Sequence, residues 1–146
     1  MILPDVNVLV YAYRREAQNH AAYASWLAAV VAGQDELALA GHCLTGFLRI
    51  VTNPRILADP APTGDALRFV ERLRAARRGR PLAATSATWD VLSVNVSQDQ
   101  GIRGNLVPDA YLAALAVSYG CRLATADRGF ARFPDLEFFD PAATRP

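Results

Sequence analysis

The chain has no lysine: all 15 of its basic residues are arginine. Its cationic groups are therefore forked guanidinium donors, a shape suited to phosphate. Without lysine no stretch can match G-x-x-x-x-G-K-[ST], and G-x-G-x-x-G is missing too, so neither common nucleotide-phosphate loop is present. Cysteine is scarce: Cys43 and Cys121 lie far apart, with no Cys-x-x-Cys spacing. The expectation is two buried reduced thiols in a cytoplasmic protein. His20 and His42 lack ligand-like spacing and read as cap or packing residues. No apolar run reaches the roughly 18 residues of a membrane span. The N-terminus has no basic region, and Asp5 stands where an export signal would be apolar, so neither a signal nor a membrane is expected. A net charge of +1 excludes a strongly basic, indiscriminate nucleic-acid binder but leaves room for a local basic patch.

What is present is a 52% apolar chain of 146 residues, enough for a single domain over residues 1–146 with its own core. Ile2 and Leu3 read as a short buried strand at about residues 2–5. A helix follows at residues 6–15, with Val6, Leu9, Val10 and Tyr13 on one face. Residues 21–32 form a second helix whose stripe is Tyr23, Trp26, Leu27 and Val30, stopped by Gly33. Residues 36–40 suit a buried strand, and a third helix at about 42–52 ends before Pro54. After a proline-bearing loop at 55–64, Asp65 is placed to cap a helix running to about Arg78, with Leu67, Phe69, Val70 and Leu73 inward. Residues 81–101 read as helical from Trp89, Leu92 and Val96, against the strand preference of their valines. Residues 105–120 form the clearest helix, with Pro108 in its first turn and Tyr111, Leu112, Leu115, Ala116 and Tyr119 inward. Residues 122–127 are a strand ending in Asp127, and residues 136–139 a last short strand. Strands alternating with helices point to an α/β fold with a mainly parallel sheet.

Three carboxylates stand at element boundaries. Asp5 and Asp127 follow strands, and Asp109 opens a helix. Each has a local explanation as a cap, a dipole partner or a turn residue. Two acids at strand ends of one sheet and a third at a helix start can also converge. Carboxylates brought together repel one another until a cation neutralises them. Oxygen-only ligands of this kind suit Mg²⁺ or Mn²⁺. Asn7 and Thr125 are candidates to hold the acids in place, or else to make local turn hydrogen bonds.

The motifs carry a resemblance. Ile-Leu-Pro-Asp5-Val-Asn7-Val-Leu-Val-Tyr-Ala resembles the opening motif of PIN-domain ribonucleases. Pro108-Asp109-Ala-Tyr-Leu-Ala-Ala-Leu-Ala is similar to their later acidic helix, and Thr125-Ala-Asp127-Arg-Gly-Phe130 to their closing acidic motif. Order, spacing and length are similar to the VapC toxins of type II toxin–antitoxin systems over essentially the whole chain. The resemblance implies an α/β/α sandwich around a short, mainly parallel sheet. It implies a metal-dependent endoribonuclease with Asp5, Asp109 and Asp127 around Mg²⁺, acting on structured RNA such as tRNA or rRNA. It also implies a homodimer and an inhibitory VapB-type antitoxin whose C-terminal segment enters the active-site groove.

One position departs from the pattern. These nucleases commonly carry a glutamate on the third helix, three residues before an arginine, and in Leu44-Thr-Gly46-Phe-Leu-Arg49 that place is held by Gly46. Asp99 is the candidate to compensate. The arginine row, chiefly Arg72, Arg74, Arg77 and Arg78, is the candidate surface for RNA phosphate or for the antitoxin, or else an ordinary solvated face. Two other readings stay open. One is a phosphohydrolase with Asp5 as nucleophile, disfavoured because Asn7 stands where a second aspartate is wanted and because lysine is missing. The other is a catalytically weakened RNA- or protein-binding module, which Gly46 favours.

Overall fold

The computed structural model describes residues 1–143. Five strands, β1 (Ile2–Pro4), β2 (Leu37–Ala40), β3 (Gly79–Leu82), β4 (Arg122–Ala124) and β5 (Phe138–Phe139), form one sheet. Their order is β3-β2-β1-β4-β5, and every neighbouring pair is parallel. The helices are α1 (Val6–Tyr13), α2 (His20–Ala32), α3 (Gly41–Val51), α4 (Thr63–Arg74), α5 (Ser86–Gln98) and α6 (Val107–Ser118).

Strand side chains alternate between faces, and the core divides accordingly. Ile2, Leu37, Leu39 and Ala124 pack with buried residues of α1 to α4. Leu3, Ala38, Ala40 and Leu123 pack with α6 and with Phe130 and Phe133. The result is the expected α/β/α sandwich. Cys43 and Cys121 are buried free thiols, and burial pushes the Cys43 thiol well above its ordinary range. Among the described residues no helix is long and apolar enough to cross a membrane.

The strand order reverses at β1. The chain builds outward through β2 and β3, then lays β4 on the other flank of β1. In open α/β sheets the crevice beyond the carboxyl ends of the strands at such a switch point takes the ligand. That point lies between the ends of β1 and β4.

Several elements differ from the expectation. The helix expected to run from Asp65 to Arg78 starts at Thr63 and stops at Arg74. Gly79–Leu82 is an edge strand, which its arginine and proline disguise; both residues are characteristic of edges, where a missing N–H is tolerated. Gly79 makes the tight entry possible, since a Cβ there would stand 3.1 Å from the carbonyl oxygens of Leu73 and Ala76. On α4, Ala66, Val70 and Leu73 are buried while Leu67 is exposed. On α1 the buried residues are Val8, Leu9 and Ala12, because a helix apolar all round gives no stripe from which to choose a face. The segment at 81–101 does contain a helix, opened by a reciprocal capping box between Thr85 and Thr88. It buries Thr88 and Asn95 and leaves Trp89 and Val96 outside. The Thr88 hydroxyl pairs with that of Ser118 at 2.9 Å, so hydrogen bonding rather than hydrophobicity orients it against α6.

Candidate active site

Asp5 follows β1 directly and caps α1. Its Oδ1 accepts a hydrogen bond from the Val6 amide at 2.7 Å. Its Oδ2 accepts from Asn7 Nδ2 and from Thr125 Oγ1, each at 2.8 Å. Asn7 Nδ2 also donates to Thr125 Oγ1 at 3.1 Å, and the Ala126 amide donates to Asn7 Oδ1 at 3.2 Å. Thr125 Oγ1 further accepts from the Asp127 amide at 3.1 Å. The register Pro4 opposite Ala124 brings these residues together across 120 positions of sequence. Asn7 and Thr125 thus aim the Asp5 carboxylate and tie together the ends of β1 and β4.

Thr125 is fully buried, so its substitution gives a clean test. Thr125→Val keeps the shape and removes the hydroxyl that serves Asp5, Asn7 and Asp127. The expected result is a roughly 10- to 100-fold loss of activity, with about 1–3 kcal/mol of destabilisation from the unmet partners. Nuclease assays beside thermal melts check it, and unchanged activity would remove Thr125 from the site.

Asp109 lies in the first turn of α6, one residue after Pro108. Asp127 caps the short 3-10 turn Arg128–Arg132, its Oδ1 accepting from the Gly129 amide at 2.7 Å. The three acids line one open cleft of about 430 Å³. A larger recess of about 650 Å³ between α2 and β5 has only Asp35 and Asp140 as acids, and it lies away from the switch point.

The acids feel one another. Burial pushes the Asp5 carboxyl above its ordinary value against the downward pull of its bonds to Thr125 and Val6; Asp127 pushes it further up and His42 opposes. The Asp109 carboxyl is raised by burial, then by Asp5 and Asp127, with Arg132 opposing. Desolvated, mutually repelling carboxylates are relieved by a cation. The donor set is hard oxygen only, which fits Mg²⁺ or Mn²⁺. Among the described residues no group of three or more His, Cys, Asp or Glu side chains is gathered closely enough to hold a metal ion by itself. An open cleft still fits Mg²⁺, which is typically held by one or two carboxylates and keeps several waters.

Gly46 lines this cleft and adds no acid. A Cβ there would stand 3.0 Å from Cγ2 of Val6. Asp99 does not fill the vacant role. It accepts from Arg132 Nε at 3.0 Å and from the Gly101 amide at 2.8 Å, and it does not line the cleft. The arginine row is also elsewhere. Arg72 and Arg74 end α4, and Arg77 and Arg78 lead into Gly79, which is in register with Leu37 at the start of β2. They occupy the sheet edge opposite the acids, with Arg72 beside Tyr13, Arg15 and Asp59. The structure instead places Arg49 and Tyr11 in the cleft. Helical spacing alone could have found both, since Tyr11 is one turn from Asn7 and Arg49 one turn from Gly46. His42, expected as a cap or packing residue, opens α3, packs edge-on against Tyr111 at 5.1 Å and lies within electrostatic reach of Asp5.

A parallel sheet with acids at its switch point, flanked by helices on both faces, is the architecture of a PIN domain, and the PIN-domain family model matches residues 2–136. The chain is 37% identical to Ribonuclease VapC43 of Mycobacterium tuberculosis over 141 residues, 97% of this chain and 95% of that protein. It is 35% identical to Ribonuclease VapC25 of the same organism, over 97% of this chain and 99% of that one. The chain belongs to the VapC family of PIN-domain proteins. Its fold matches a chain in the crystal structure of VapBC2 from Rickettsia felis bound to a DNA fragment from their promoter. That match has a TM-score of 0.69 and 17% identity, covering 96% of this chain and 98% of the other.

Proposed function

We propose that the protein is the toxin of a type II toxin–antitoxin pair and an endoribonuclease that hydrolyses a phosphodiester of structured RNA, tRNA or rRNA. The observation that carries this is the convergence of Asp5, Asp109 and Asp127 on one cleft at the β1/β4 switch point. The names of the VapC relatives support the substrate class. Asp5 and Asp109 would hold Mg²⁺ or Mn²⁺, and Asp127 would complete the acidic site or orient the attacking water. Such an ion supplies, when bound, a more acidic water and positive charge beside the phosphoryl oxygens. Asn7 and Thr125 keep Asp5 aimed, and Asp5 is half-buried among its neighbours.

The VapBC and FitAB assemblies among the structural relatives support a VapB-type antitoxin as partner. Family membership supports a homodimer acting in the cytoplasm. Arg72, Arg74, Arg77 and Arg78, on the opposite edge, would meet only a partner or RNA long enough to wrap around the domain. One observation favours the weakened-module alternative: Val6 crowds the place where a side chain at position 46 would begin.

The test is induced expression in a bacterial host with sequencing of new RNA 5′ ends within minutes. Growth arrest with discrete new ends, both suppressed by a co-expressed antitoxin, is the expected result. A folded, magnesium-supplied protein that creates no new ends would overturn the nuclease reading in favour of the binding module.

A further inference from the structure

Beyond the three acids, the cleft continues along the seam between α1 and α3. Val6, Val10 and Tyr11 line it from α1, and Gly46, Arg49 and Ile50 from α3. Gly46, Arg49 and Ile50 share one helical stripe, as do Val6 and Val10, with Tyr11 flanking the latter. The floor is apolar, and at position 46 the Val6 methyl groups close against the bare backbone.

Arg49 is the one basic side chain lining this cleft among the described residues. It is exposed and forms no ion pair or hydrogen bond with any described side chain. Arg49 lines the same cleft as the three carboxylates, yet no ion pair among the described residues joins it to any of them. Its forked donors are left for another anion, and the forked shape fits a phosphate diester.

Tyr11 forms the other wall. Its ring is backed by Tyr23 at 5.2 Å, tilted by 48°. Tyr23 is itself buried and anchored by its hydroxyl donating to Asp140 at 2.8 Å. The Tyr11 carbonyl is held by His20 at 2.9 Å. An aromatic ring fixed in this way presents a preorganised face on which a base can stack.

We infer that the α1–α3 side of the cleft is a nucleotide subsite, in which Arg49 binds a phosphate next to the one cleaved and Tyr11 stacks on the adjoining base. The inference rests on the nuclease reading above and adds to it how the strand is seated. Phosphate contact and stacking both tolerate any base, so this subsite positions RNA without reading its sequence.

The test uses the full chain with Asp5→Asn as a non-cutting background and a fluorescein-labelled random-sequence 12-nucleotide RNA. Binding is followed by anisotropy at several KCl concentrations. Arg49→Ala is expected to weaken binding about tenfold and to reduce the slope of log K against log salt by about 0.7, the value for one phosphate of a single strand. Tyr11→Leu is expected to weaken binding about tenfold with the slope unchanged, and Tyr11→Phe to bind like the parent. Thermal melts separate misfolding from lost contact, and exposed Arg49 keeps the test decisive if Tyr11→Leu unfolds. Unchanged affinity and slope in Arg49→Ala would overturn the subsite and leave the groove to a protein segment. Failure of the nuclease reading shows separately, as no new RNA ends from the unsubstituted chain.

Discussion

Asp5→Asn is expected to lower RNA cleavage by at least about 1,000-fold, equivalent to some 4 kcal/mol of barrier, in a protein that remains folded. Asn retains the cap on α1, because its amide oxygen can still accept from Val6 at the place of Oδ1. The other side-chain atom changes from acceptor to donor. Thr125 can rotate its hydroxyl to accept, but Asn7 Nδ2 then faces a second donor. That unmet bond costs about 1–3 kcal/mol. Against it stands the removal of a buried charge repelled by Asp127, so the metal-free melting temperature should move little.

Magnesium should separate the two proteins. Asp5 and Asp109 have raised carboxyls, so the folded state binds more protons than the unfolded one. Their contribution to stability is therefore greatest at low pH, falls as pH rises through the raised values, and at neutrality is fully unfavourable. A bound divalent ion reverses that penalty and adds about 2.7 kcal/mol at a hundred times its dissociation constant. Melts in EDTA and in Mg²⁺ should show a large increment for the parent and little for Asp5→Asn. Equal increments would mean that the ion binds elsewhere, and normal cleavage by the variant would end the role of Asp5.

Phe47→Ala should produce the largest loss of stability, about 3–5 kcal/mol, or roughly 10 °C in melting temperature for a domain of this size. Phe47 is completely buried. Its ring meets Tyr13 edge-on at 5.3 Å and Phe69 at 5.0 Å, joining α3 to α1 and α4. No small neighbour can refill the space left by an aromatic ring between three helices. Phe47 lies between Gly46 and Arg49 in sequence and on the opposite face of α3, so the cavity should also loosen the cleft wall and weaken RNA binding. Phe47→Leu retains most of the volume and should lose much less. Urea melts of both variants check this, and a loss below about 1 kcal/mol for Phe47→Ala would show that α3 is held by other contacts.

The three acids and their setting were legible because the signals are local. A strand that runs straight into an aspartate, and an aspartate one residue after a helix-opening proline, are patterns of adjacent residues. β1, β2 and β4 are apolar because a parallel strand is covered on both faces, and that run is visible without knowing its neighbours. Edge strand β3 is half-exposed, so its arginine and proline gave no such run. In α5, Thr88 takes the buried face while Trp89 stays outside, because Ser118 of α6 supplies Thr88 with a hydrogen-bond partner, and no periodicity within α5 contains that fact.

The order of residues along the chain was enough to indicate an α/β fold, a pair of unbridged cysteines and three acids at element ends. Which acids share a cleft depended on β4 returning to the flank of β1, a pairing across about 120 positions set by packing on both sheet faces. The same return left Asp99 with Arg132 and carried the α4 arginines to the far edge of the sheet. Arg49, inconspicuous among 15 arginines in the sequence, stands in the cleft because α3 starts at the carboxyl end of β2, the edge where the acids lie.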